Sequence, residues 1–286
     1  MMTTQATGYD TPTHDYVYEP FVAEMDIQNG SLDVVGDIHG CMDELVSVLT
    51  RAGYEIEDFD PKKSAPIGIH HPQGRKLVFV GDLTDRGPYS DQVLRLAMGL
   101  HKTGTGRVVM GNHDWKLVRL LMGRNVTVSQ GLQDTLDQIA PLRDAFKRDV
   151  LSFYREVSHQ IRVPLTWETR YEGATSLWIT HAAAKAHRQG KVDRGAWHRS
   201  IYGYSDGKVD EQTGHLIRED WAHDYSGADP VIHGHEVHAE PYLMNRVLCL
   251  DTGCVFGNKL TLYRVDTGEF LFEPAARDYS GENRKL

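Results

Sequence analysis

Three times before residue 125, a short apolar run ends in a glycine and a polar residue, and an amphipathic helical pattern follows. "LDVVGD" leads into "CMDELVSVLTRAG", where Leu45, Val48 and Leu49 recur at helical spacing. "KLVFVGD" leads into "SDQVLRLAMGLHKTG", with Val93, Leu96, Ala97 and Leu100 on one face. "RVVMGN" leads into "HDWKLVRLLMG", with Leu117, Leu120 and Leu121. Apolar runs of this length are buried strands, and a repeated strand, turn and helix builds βαβ units around a largely parallel sheet. Strand patterns return later in "TSLWITH", "DPVIHGH", "NRVLCLDTG", "KLTLYRVD" and "EFLFEP", which predict a second sheet packed on the first. The expected class is α/β, two mixed sheets flanked by helices.

Between these halves, residues 130 to about 160 read as helix apart from a break at Pro141. The whole stretch of about 125–165 is expected as a helical insertion, either a cap over the site or packing filler. "DPKKSAPIGIHHPQGRK" reads as loop or hairpin. The remaining organisation is expected to be a flexible tail over 1–30, one domain over 31–275 and a C-terminal tail over 276–286. At 286 residues the chain suits one large domain with an insertion. It shows no signal-peptide pattern and no apolar stretch long enough to cross a bilayer. Three cysteines, Cys41, Cys249 and Cys254, form no C-x-x-C pair, and a reduced, cytoplasmic setting follows. A formal net charge of −9 argues against an extended nucleic-acid groove but leaves room for a small anion where metal ions make a site locally positive.

The strand ends carry the chemistry. They hold Asp37 and His39 in "VVGDIHG", Asp82, Asp85 and Arg86 in "FVGDLTDRG", and Asn112 and His113 in "VMGNHD". His181 follows in "WITHAA", His233 and His235 in "VIHGHE", and Asp251 in "CLDTG". Loops at the carboxyl ends of strands gather into one crevice. A Gly–Asp turn is common, and a single strand-end histidine is usually a hydrogen-bonded structural residue. Five such signals in order, each after an apolar strand, point to one metal site. Carboxylate, amide and imidazole donors suit Mn²⁺, Fe, Zn²⁺ or Mg²⁺ rather than a thiolate-type site. Six donors exceed what one ion with an open position takes, and fit two ions about 3.5–4 Å apart that share a carboxylate. Asp82 is the natural bridge.

"GDIHG", "GDLTDRG", "GNHD" and the strand-end "TH" and "GH" resemble the calcineurin-like metallophosphoesterases, in their phosphoprotein-phosphatase-type branch. "IYGYSDGKVDEQTGHLIREDWAHDYSG", "VIHGHEVHAEP" and "VLCLDTGCVFGNKL" are similar to a narrower subgroup. It comprises the PrpE-type bis(5′-nucleosyl)-tetraphosphatases and the phosphatase domain of bacterial polynucleotide kinase-phosphatase. The resemblance covers roughly residues 32 to 265. It implies a two-sheet β-sandwich flanked by helices and two divalent ions, Mn²⁺ first, with Fe, Zn²⁺, Ni²⁺ or Mg²⁺ as alternatives. Asp37, His39 and Asp82 would hold one ion, and Asp82, Asn112, His181 and His235 the other. His113 would be the general acid, with Asp85 orienting its ring. Arg86 and Arg218 would grip phosphoryl oxygens, and Asp251 would stand behind the ligands. Where the subgroup has an arginine, "HAAAKAH" places Lys185, a point charge instead of a bidentate fork. Cys254 is expected as a buried structural thiol, Trp115 and Trp221 as core, and Asp114 as an exposed acid at a helix start.

The expected reaction is attack on phosphorus by a hydroxide bridging the two ions, with charge on the equatorial oxygens met by metals and guanidinium forks. The leading substrate is a dinucleoside polyphosphate. A monoesterase or cyclic-phosphodiesterase acting on RNA ends, or a phosphoprotein phosphatase, is the second reading. A non-catalytic metal-binding regulator is the third, disfavoured because all six ligands, His113 and Arg86 are intact.

Overall fold

The computed structural model describes residues 18–57, 65–142, 144–210 and 216–282. Its first half runs β1 (Val22–Glu24), β2 (Leu32–Val35), α1 (Met42–Arg51), β3 (Glu55–Glu57), β4 (Gly68–His70), β5 (Lys76–Phe79), α2 (Ser90–Lys102), β6 (Gly106–Val108) and α3 (Asn112–Leu121). The helical middle is α4 (Leu132–Ile139) and α5 (Asp144–Arg155), split near Pro141 as expected. Then come β7 (Gln160–Pro164), β8 (Ser176–Thr180), α6 (Arg194–Tyr202), β9 (Val231–His233), β10 (Tyr242–Met244), β11 (Val247–Cys249), β12 (Lys259–Arg264) and β13 (Phe270–Pro274).

Two sheets dominate. One has the order β13-β12-β2-β5-β6, and its β2, β5 and β6 are parallel, as the repeated strand–turn–helix pattern requires. The other has the order β1-β7-β8-β9-β11-β10, with β8, β9 and β11 parallel. Side chains alternate across β5: Leu77 and Phe79 face the helices, while Val78 and Val80 face the other sheet. Between the sheets, Leu32, Val34, Val78 and Val80 pack against Ile161, Val163, Ile179, Ile232 and Leu248. That alternation is why the runs read as continuously apolar: each strand is covered on both faces.

Three expected boundaries differ. Residues 22–24, placed in the N-terminal tail, pair in parallel with β7, and Met25 and Ile27 are buried; residues 1–17 lie outside the described residues. Residues 160–164, placed in the helical insertion, are the strand that receives β1. Of the C-terminal tail, residues 276–282 are packed on the domain. The Ala276 N–H and the Tyr279 hydroxyl both donate to Glu44 Oε1, at 3.0 and 2.7 Å. Of the stretch 60–76, expected as loop or hairpin, residues 68–70 form β4, whose antiparallel partner β3 lies before that stretch; residues 58–64 lie outside the described residues. All three cysteines are free and buried, and the Cys41 and Cys254 thiols lie against each other near Glu44.

At the end of the sheet away from the polar strand tips, Arg75 clips β2 to the β12–β13 turn. Its Nε and Nη2 donate to Asp33, and its Nη1 and Nη2 donate to the two oxygens of Asp266, each at 2.8 Å. Asp33 is fully buried, so removing Arg75 takes away its hydrogen-bonded cation and leaves the carboxylate in the core with only the more distant Arg264 guanidinium, 3.9 Å away, as counter-charge among the described residues. Arg75→Met is expected to lower the unfolding free energy by about 3–5 kcal/mol. Urea denaturation checks this, and a loss under about 1 kcal/mol would show the clip to be solvated like a surface pair.

Candidate metal centre

Each parallel strand delivers its polar residue just past its carboxyl end. The tips of β2, β5 and β6 carry Asp37 and His39, then Asp82, Asp85 and Arg86, then Asn112 and His113. Those of β8, β9 and β11 carry His181, His235 and Asp251. The site is therefore shared by the two sheets. Glycines make room for the acids: a Cβ on Gly234 would overlap the Asp37 carboxylate, and one on Gly111 would overlap Asp82.

Asp82 sits at the centre, almost fully buried. Its Oδ1 accepts the His113 N–H at 2.9 Å and lies 3.4 Å from His181 Nε2, whereas Oδ2 lies 3.6 Å from His39 Nε2. His181 Nε2 is also 3.0 Å from Asn112 Oδ1 and 3.1 Å from His235 Nδ1. Asp37 accepts the His235 N–H on both oxygens, at 3.2 and 3.1 Å. Beyond these, His113 Nδ1 is 2.7 Å from Asp85 Oδ2, and Arg86 Nη1 lies 3.1 Å from His39 Nε2 and 3.3 Å from His113 Nε2.

The structure thus brings together Asp37, His39, Asp82, Asn112, His181, His235, His113, Asp85 and Arg86. His233 is separate. Its strand ends there, its Nδ1 is 2.9 Å from the Gly234 carbonyl, and its ring packs 5.2 Å from Trp221. Arg218 donates to the Tyr202 carbonyl at 2.6 Å and feels the charges of Glu236 and Asp82. Lys185 lies over the Tyr204 ring at 4.4 Å and 3.6 Å from Glu219. Asp251 lies by Asp37, whose proton affinity it raises. The Nδ1 atoms of His39 and His181 are held by the carbonyls of Thr84 and Val80, at 2.7 and 3.0 Å, a role expected of Asp251. Cys254 and Trp221 are buried, as expected.

Asp114 corrects an expectation. It is fully buried, and it accepts the Leu83 and Gly111 N–H groups, each at 3.0 Å, and the Tyr154 hydroxyl at 2.9 Å. Its place at the third position of α3 resembles a solvated helix-start acid, and only α5, forty residues on, turns it into a brace between two site loops. Thr135 on α4 was likewise missed. It contacts Asp85, and no local sequence pattern marks it.

The donor set fits divalent ions. Burial, then the neighbouring charges of Asp251 and Asp82, pushes Asp37 well above the usual carboxylate range; burial foremost pushes Asp82 up to about 8. Burial also drives His181 down to about 4 and His39 and His235 well below their ordinary value, leaving neutral imidazoles with lone pairs to donate. The His235 Nε2 is buried with no hydrogen-bond partner among the described residues. Clustered buried acids with neutral imidazoles are a set that a cation stabilises. At pH 7 an incoming ion must displace a proton from the Asp37–Asp82 group. Affinity for Mn²⁺ is therefore expected to rise with pH, by up to about tenfold per unit below about 8. Equilibrium titrations at two pH values below 8 read this directly, and a flat affinity would mean the acids are already ionised without an ion. Gly234→Ala is expected to cost about 1–3 kcal/mol of stability and to weaken the same Mn²⁺ binding. Unchanged binding would show that Asp37 can yield to the new methyl group.

The family model for calcineurin-like phosphoesterases matches residues 31–239. Over 247 residues the chain is 37% identical to the Bacillus subtilis protein named bis(5′-nucleosyl)-tetraphosphatase PrpE (asymmetrical), covering 86% of this chain and 96% of that one. It superposes with a TM-score of 0.57 on a crystal structure of a candidate diadenosine tetraphosphatase, 26% identical, covering 90% of this chain and 99% of that one. A protein serine/threonine phosphatase from Saccharomyces cerevisiae, 13% identical with a TM-score of 0.52 and coverages of 90% and 84%, shares the fold alone.

Proposed function

The chain belongs to the calcineurin-like phosphoesterase family, a metal-dependent hydrolase of phosphoric esters or anhydrides, and from that premise we propose that it cleaves dinucleoside polyphosphates with two divalent ions held on either side of Asp82. The observation that carries this reading is the split of the Asp82 carboxylate, one oxygen toward His39 and the other toward His181. Asp37 and His39 would complete one ion's donors, and Asn112, His181 and His235 the other's. Bound there, the ions would supply an activated water and offset phosphoryl charge, with Mn²⁺ the first choice for this donor mix. The substrate class rests on the name of the Bacillus subtilis relative, and a cytoplasmic setting on three free, buried cysteines.

The chain's own groups would bind and move protons. Arg86 Nη1, 3.1 and 3.3 Å from two imidazole nitrogens, rests on neutral acceptors and would gain by turning its fork to phosphate oxygens. Arg218 would meet a more distant phosphate. His113 is kept neutral by burial first and by Arg86 second. A phosphoryl group that draws Arg86 away and brings negative charge to His113 favours its protonated form on both counts. With Nδ1 on Asp85, its Nε2 would give a proton to the leaving oxygen.

A substrate panel tests the reading: diadenosine tetraphosphate, an aryl phosphate, an RNA 2′,3′-cyclic phosphate and a phosphopeptide, with Mn²⁺ and with a chelator, alongside a metal count. Expected are two ions per chain, fastest turnover of the dinucleotide, loss of activity on chelation, and a fall of at least roughly 100-fold in Asp82→Asn. Faster cleavage of the RNA end or the phosphopeptide would overturn the substrate while leaving the metal centre. One ion per chain would overturn the dinuclear reading.

A further inference from the structure

The helical middle reaches the loop that follows β5 through α4, and one of its contacts there is a buried hydroxyl. Thr135 is fully buried. Its Oγ1 accepts the Asp85 backbone N–H at 2.9 Å and donates to Asp85 Oδ1 at 2.8 Å, gripping both ends of one residue. The neighbouring contacts repeat the pattern. The Arg86 N–H points to the Gly131 carbonyl at 3.4 Å, and Gln138 accepts the Ser90 N–H at 2.5 Å and donates to the Gly87 carbonyl at 2.9 Å. Asp85 needs such a grip, because its φ of 78° lies in the left-handed region that a residue with a Cβ adopts only under constraint.

We infer that Thr135 is a positioning residue for the proton donor. By occupying Asp85 Oδ1 and pinning the Asp85 backbone, it leaves Oδ2 as the one oxygen for His113 Nδ1, 2.7 Å away. That contact keeps a proton on Nδ1 and turns Nε2 toward the reacting group. Without the hydroxyl, Asp85 Oδ1 loses its donor and the strained backbone keeps only the longer contact from its N–H to Ser90 Oγ, 3.2 Å, so the Asp85–His113 contact that orients the ring is loosened. The α4 helix would then be the element through which the inserted segment affects chemistry without touching substrate. The inference rests on the reading of His113 as general acid given above.

The test compares Thr135→Val, which keeps the shape and removes both hydrogen-bonding functions, with Thr135→Ser, which keeps the hydroxyl. Each is assayed as the Mn²⁺-loaded full chain on aryl phosphates graded from 2,4-dinitrophenyl to phenyl. A leaving group that needs no proton does not need a positioned acid. Expected in Thr135→Val is a fall in kcat of roughly tenfold or more for phenyl phosphate and little change for the dinitrophenyl ester. KM and bound Mn²⁺ should be unchanged, and Thr135→Ser should recover most of the loss. An equal fall across the series, or none, overturns the inference. The His113 Nδ1–H proton resonance in the metal-free protein decides it independently, because Arg86 keeps the Nε2 lone pair occupied in both variants and only the Asp85 contact changes. Wild type should show that proton far downfield, and Thr135→Val should move it upfield or lose it to exchange; an unchanged resonance also overturns the inference. If wild type cleaves no phosphate ester while that resonance shifts as expected, the phosphoesterase reading has failed and the positioning role stands.

Discussion

The Asp82 carboxylate is the contact on which the site depends. It is buried where the strand tips of two sheets converge, and a charge at that depth is costly until a cation is bound beside it. The groups around it come from both sheets: His39 and the His113 N–H from one, His181 from the other. The inter-sheet core of Val34, Val78, Ile179 and Ile232 therefore does more than hold the sandwich together. It sets the spacing across which one carboxylate faces two histidines. A close-packed interior transmits small shifts instead of absorbing them, so a core cavity far from the tips is felt at this spacing.

The second constraint is backbone strain. His39, Asp82, Asp85, Arg86 and His235 all have φ between 45° and 78°. Held this way, a residue with a Cβ costs about 1–3 kcal/mol, and five of them approach the net stability of an ordinary domain, about 5–15 kcal/mol. Partners offset part of that cost. The N–H of His39 donates to the Asp82 carbonyl, that of Asp85 to Thr135 and that of His235 to Asp37, while that of Arg86 points to the Gly131 carbonyl. The rest must come from the two buried cores. Left-handed backbone bends the chain sharply just past a strand, which lets one strand tip present several side chains to one point.

How far the sequence reveals this follows from where the information lies. The ligand positions were legible because each follows an apolar run whose covered faces force it into the core, and strand ends in parallel sheets converge. The strands β1 and β7 were not. "VAE" is too short to show a period, and "QIRVP" follows a helix closely enough to be taken for its continuation. Their pairing is decided by contact between residues nearly 140 apart in sequence. Asp114 and Thr135 failed for the same reason. A buried acid three residues into a helix and a threonine on an amphipathic helix look ordinary until Tyr154 and Asp85 are placed against them. Local pattern predicts which face a residue takes, whereas its polar partner across the fold leaves no periodic trace.

Arg86 joins these constraints to ligand binding. Its Nη1 donates to the lone pair of His39 Nε2, the same lone pair an ion would need, so an ion and this contact exclude each other. Its Nε lies 3.6 Å from the half-exposed Glu282, at the margin of the site. A guanidinium meets phosphate oxygens charge to charge and often with two parallel bonds, whereas a neutral imidazole offers a single lone pair, so Arg86 gives up little when phosphate oxygens become available. Occupation of the His39 nitrogen by a cation and of Arg86 by a phosphate then favour each other. The cation displaces the guanidinium from the imidazole, and the phosphate gives the guanidinium a better partner. In a chain of net charge −9, that reciprocity lets an acidic pocket accept an anion: the positive charge the substrate needs is assembled as ion and phosphate arrive, on side chains that are neutral or otherwise engaged until then.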